Sequence, residues 1–73
     1  MKTLNENYKN NINIMIENLK RGLTKTQADS IIEHFKSQFM ENNTYNQDEK
    51  DFIQELKRVV LEHFTMIEIN VIK

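Results

Sequence analysis

Apolar residues recur along this chain at intervals of three and four, the spacing that gathers them on one face of an α-helix. Leu4, Tyr8, Ile12, Met15 or Ile16, Leu19 and Leu23 form a first stripe, and Ile14 lies off it, either exposed or on a second contact surface. Ala28, Ile31, Ile32, Phe35 and Phe39 form a second, with Met40 at its edge. A third passes through Phe52 or Ile53, Leu56, Val59 or Val60, and His63 or Phe64. The residues between the stripes carry the stop and start signals. Gly22 follows Lys20 and Arg21; it can take the left-handed conformation that closes a helix, while the two cations complement the negative helix end. Thr24-Lys25-Thr26-Gln27 has the spacing of a capping box, in which side chain and backbone at the two ends satisfy each other. The polar run from Asn42 to Gln47 reads as the second connection, and Asp48, Glu49 and Asp51 suit the positive end of a third helix. The pattern predicts helices over about 4–21, 24–41 and 48–64.

Beyond Phe64 two periods compete. Ile67 and Val71 continue the helical stripe, yet Ile67-Glu68-Ile69-Asn70-Val71 also alternates like a half-buried strand and is rich in β-branched residues. The strand reading is favoured for 65–73, and a lone strand requires a partner to satisfy its backbone. The expected fold is mainly α: a small three-helix domain, 1–73, with a short C-terminal strand or extended tail.

Composition narrows the support such a fold can draw on. A chain of 73 residues buries only about 60% of the surface its unfolded form exposes. Its core supplies roughly 3–5 kcal/mol, so small scaffolds recruit a disulfide, a metal or another chain. There is no cysteine, which removes disulfides and thiolate metal sites. Association with a second copy or a larger protein is the commonest support left. The longest apolar run is three residues, against the roughly 20 a membrane-crossing helix needs, and the N-terminus has no secretory pattern. These features lead us to expect a cytoplasmic protein without membrane contact. Abundant Asn, Ile and Lys suggest an AT-rich genome, as in a phage or plasmid.

The residues with chemical potential do not assemble into a recognisable site. Glu33-His34 and Glu62-His63 pair carboxylate with imidazole, but adjacent helical residues point about 100° apart and cannot chelate from one face. Ser30 and Ser37 flank His34 at helical spacing, without the orienting third group and oxyanion hole that nucleophilic catalysis needs. We expect no enzyme activity, no metal or other cofactor and no small-molecule substrate.

Two surfaces remain as candidates. Val59, Val60 and Leu61 are consecutive, so the third helix is apolar over more than the stripe of about 100° that a monomeric bundle needs. Together with the C-terminal apolar residues they suggest a protein interface carried by Val59, Leu61, Ile67, Ile69 and Val71. The expected function is a non-enzymatic interaction module, a homodimeric adaptor, inhibitor or regulator that docks on a larger protein. The alternative is nucleic-acid binding through the first corner, where Lys20, Arg21, Lys25 and Gln27 cluster beside a helix N-terminus. The segment Gly22-Leu23-Thr24-Lys25-Thr26-Gln27-Ala28 resembles the first helix-turn-helix of the HU/IHF family of DNA-bending proteins. That resemblance covers the first two helices and implies a DNA-contacting corner; the β-ribbon arms and basic saddle of the family are absent, so DNA bending does not carry over. A net charge of −1 gives the whole chain no basic footprint, which ranks this reading second.

Overall fold

The computed structural model describes the backbone of residues 5–72 and the side chains of residues 5–66. Three helices follow in order: α1 (Glu6–Lys20), α2 (Lys25–Glu41) and α3 (Gln47–Ile72). The predicted position of Leu4 in the first stripe lies outside the described residues.

Each boundary has a local cause. Asn5 caps α1, its side chain accepting from the Asn7 N–H at 2.8 Å. At the other end Arg21 is the last residue near helical geometry, and Gly22 takes φ +111°. The chain then closes on itself: Gly22 N–H donates to the Leu19 carbonyl at 3.2 Å, and Leu23 N–H to the Asn18 carbonyl at 3.0 Å. This is the paired-bond ending that a left-handed residue makes possible. α2 ends the same way. Asn43 sits at φ 56° and donates to Met40 at 3.3 Å, while Thr44 N–H reaches Phe39 at 2.8 Å. Asn is among the few side-chain-bearing residues that tolerate that conformation.

The starts of α2 and α3 are also side-chain capped. Thr24 and Gln27 form the expected reciprocal pair, both bonds at 3.1 Å. At α3, Glu49 reaches back to the Asn46 N–H at 3.1 Å, and Lys50 N–H donates to the Asn46 carbonyl at 3.0 Å.

α1 and α2 each lie against α3 far more than against one another. The order is up, down, up, with α3 as the shared wall. Its buried residues Phe52, Ile53, Leu56 and Val60 meet Ile12, Met15 and Leu19 from α1 and Ala28 and Ile32 from α2. One end of this core is aromatic. Phe52 is fully buried, stacked on Tyr8 at 4.7 Å, and edge-on to Phe35 at 5.3 Å and Phe39 at 6.1 Å. Tyr45, from the second connection, stacks on Phe39 at 6.5 Å and closes that end. No buried side-chain polar atom among the described residues lacks a hydrogen-bond partner.

The strand or tail expected after Phe64 is corrected. Thr65 and Met66 are helical, and α3 is continuous to Ile72. No Gly or Pro interrupts 64–72, and extending an existing helix avoids the nucleation cost that a new one carries. A solitary strand, by contrast, would leave its backbone groups unpaired. At 1.5 Å per residue α3 is ~39 Å long, against ~22 Å for α1 and ~26 Å for α2. The longest dimension of the molecule is 45 Å.

Because both short helices depend on Phe52, its replacement by Ala is expected to cost about 3–5 kcal/mol, nearly all the stability a chain this size holds. Urea unfolding monitored by circular dichroism should show F52A largely unfolded in buffer. Ser37→Ala, on the exposed side of α2, should stay within about 0.5 kcal/mol of the parent.

Candidate functional site

The two ends of the bundle differ in how completely they are closed. At the aromatic end the Tyr8 hydroxyl donates to one oxygen of Glu49, whose other oxygen accepts from the N–H of Asn46, the residue just before α3. One carboxylate thus joins the start of α1 to the start of α3. Desolvation of the half-buried phenol, the bond to Glu49, and the charges of Glu49 and Asp48 push the Tyr8 pKa up to about 12. A neutral phenol donating to a carboxylate is a structural clamp, with no poised acid or base near neutral pH.

The opposite end is open. A groove of about 340 Å³ runs between the last turns of α1 and the middle of α3. Ile16, Leu19, Val59 and Met66 are its apolar lining, and Lys20, Arg58, Glu62 and His63 its polar one. Phe64 is the last described residue of α3 packed on the core, and Met66 is 62% exposed. The helix runs on six residues past Met66, ~9 Å at helical rise. Lys20 is exposed and makes no ion pair among the described residues.

The predicted interface residues divide between faces. Val59 is half-buried on the floor of the groove. Leu61, 62% exposed, lies on the outer face of α3 near Gln54, Lys57 and Arg58. Two residues apart on a helix means about 200° of rotation, so the pair cannot serve one contact. Ile67, Ile69 and Val71 are on the backbone of α3, and their side chains lie outside the described residues. The sequence reading missed Ile16 and Met66, which complete the floor. Their signal was present in the i, i+3 and i, i+7 spacings of Ile16 to Leu19 and Val59 to Met66.

The polar surroundings are mostly self-satisfied. Arg58 bonds Glu55 on the preceding turn and Glu62, at 2.7 Å, on the following one. Those bonds, to Glu55 and then Glu62, push the guanidinium pKa further up. The ladder stays on the surface of α3. His34 is exposed on α2 and His63 is edge-on to Phe64 at 5.0 Å. Among the described residues no three of His, Asp and Glu gather as metal ligands.

The alternative nucleic-acid corner is formed as a corner. Lys20, Arg21, Lys25 and Gln27 are all exposed around the α1–α2 turn. The Gln27 carbonyl oxygen, however, is held by the Thr24 N–H, which fixes that side chain against its own helix start. A second, smaller cleft of about 140 Å³ opens between α1 and α2, where Ile14, Ile31 and Phe35 stand over Leu56. Ile14, which the stripe left out, is 56% exposed at its rim.

Comparison with protein families, with curated proteins and with solved structures finds no match for this chain. No helix among the described residues is long and apolar enough to cross a membrane.

The clamp at the aromatic end predicts a pH dependence with a definite sign. Its phenol titrates near 10 when unfolded and at about 12 when folded, so the folded state holds the proton more tightly. That contribution is complete below pH 10 and is lost as the pH rises from 10 to about 12. Thermal melts at pH 9 and pH 11.5 should show a larger loss for the parent than for Tyr8→Phe.

Proposed function

We propose that this protein is a non-enzymatic interaction module that works by docking the distal half of α3 on another polypeptide. The observation that carries this reading is the length of α3: it continues past the level where α1 ends, through a stretch containing Met66, Ile67, Ile69, Val71 and Ile72. Apolar residues at that density on a helix are stabilised by removing them from water, at about 25 cal/mol per Å². The open groove beside Val59 adds a concave surface contiguous with that stretch. A larger protein or a second copy both meet this requirement, which makes the chain a homodimer, an adaptor or an inhibitor.

Helicity points the same way. Thr65, Ile67, Ile69, Asn70, Val71 and Ile72 are mediocre helix formers. In short segments, tertiary packing supplies most helical stability. A contact along the distal half of α3 would therefore stabilise both the helix and the assembly.

Replacing Ile69 and Val71 together with Asp should abolish assembly while leaving the residues 5–64 bundle folded. Light scattering after size exclusion, over a tenfold range of concentration, is expected to give about twice 8.8 kDa for the parent and 8.8 kDa for the variant. A variant matching the parent in mass and melting temperature at every concentration overturns the assignment.

A further inference from the structure

We infer that the surface formed by the second connection and the first three turns of α3 is a binding site for a short chain of phosphates. The inference goes beyond the docking reading and does not depend on it. Tyr45, Lys50, Ile53, Gln54 and Lys57 line a shallow cavity of about 270 Å³ there. Buried Ile53 is its aliphatic member. Each of the four others carries a hydrogen-bond donor: two ammoniums, a carboxamide and a phenol. None of those groups has a hydrogen bond or ion pair among the described residues. The Lys50 ammonium lies over the Tyr45 ring, 5.7 Å from its centre.

The acids of α3 face elsewhere. At 3.6 residues per turn, position 57 is turned only about 20° from position 50, whereas Asp48, Asp51, Glu55 and Glu62 are about 100° or more from both. Asp51 accepts from the Gln47 amide at 2.9 Å, and Glu55 and Glu62 accept from Arg58. Glu49 accepts from Tyr8 and Asn46. The lining thus carries two positive charges and no negative one, on a chain whose net charge is −1.

Spacing chooses among anions. Lys50 and Lys57 are two turns apart, ~10.5 Å along the helix. Lys50 leans over Tyr45, which precedes α3, so a single phosphate meets one ammonium without drawing in the other. A diphosphate or triphosphate reaches both, with Gln54 between them. The volume agrees: at about 30 Å³ each the cavity holds about nine waters, and a diphosphate has nine heavy atoms. The Tyr45 ring already has Phe39 at 6.5 Å and Lys50 against it, so a nucleobase gains no stacking surface.

Titration with sodium pyrophosphate at constant ionic strength, followed by amide NMR shifts, tests the site. The amides of Lys50, Gln54 and Lys57 should shift together, and inorganic phosphate should bind about fivefold more weakly. Lys50→Gln and Lys57→Gln should each weaken pyrophosphate about fivefold, the upper range for one exposed charge pair. Both lysines are exposed, so each variant should melt with the parent. Lys20→Gln, at the other cationic corner, should leave the affinity unchanged, and ADP should match pyrophosphate within about twofold. No binding, shifts as large at Lys20, Arg21 and Lys25, or pyrophosphate no tighter than phosphate overturns the site. ADP or a short oligothymidylate binding more than about twofold tighter than pyrophosphate overturns recognition of the phosphate chain alone. The docking reading is decided separately, by the mass of the parent chain and of its Ile69→Asp, Val71→Asp variant.

Discussion

Phe52 is the point at which the three helices meet, and the arrangement of the bundle follows from it. The ring is fully buried between Tyr8 of α1 and Phe35 and Phe39 of α2. Aromatic pairs at these separations contribute about 0.5–1.5 kcal/mol beyond the area they bury, and here three share one ring. Since α1 and α2 make little contact with each other, this wall of α3 must be apolar on two sides. Ile53 and Leu56 widen the same face, and Val60 continues it toward the open end. The breadth that makes α3 look over-supplied with apolar residues is therefore partly internal.

That accounting changes what the apolar pattern says about function. Val60 is consumed by the core, Val59 is half-consumed, and Leu61 is left on the outside. The contrast between the bundle's ends is more informative than the count of apolar residues. At one end, rings, a capped helix start and the Tyr8–Glu49 clamp shut the core. At the other, aliphatic side chains border a groove and a helix that outruns its neighbours. One end of this small domain is sealed and the other carries the groove, which is why the contact surface proposed above is placed at the latter.

Local signals were legible in the sequence, and distant ones were not. Thr24 with Gln27, and Gly22 after two cations, are written within a few residues of the boundaries they set, and both perform as their spacing implies. The stripes gave the core because helical period and burial share one geometry. The continuation of α3 could not be read because Ile67 to Val71 satisfies a period of two and a period near 3.6 at once. Only the absence of a breaker and the cost of an unpaired strand favour helix. The Tyr8–Glu49 link joins positions 41 residues apart, beyond any local pattern. The groove arises from the docking of α1 on α3, so its members are scattered between Ile16 and Met66.

The independence of α1 and α2 has a dynamic consequence. A helix held by one neighbour can detach without dissolving the pair that remains, and such partial openings require less free energy than global unfolding. α1 is one such segment, since it packs on α3 and only slightly on α2. The groove has one wall on α1 and one on α3. Anything seated there bridges the detachable helix to the stable pair, and binding free energy is then expressed as suppressed opening of α1. Occupancy would be felt at Tyr8, at the far end of the same helix, through rigidity alone and without displacement of any side chain between.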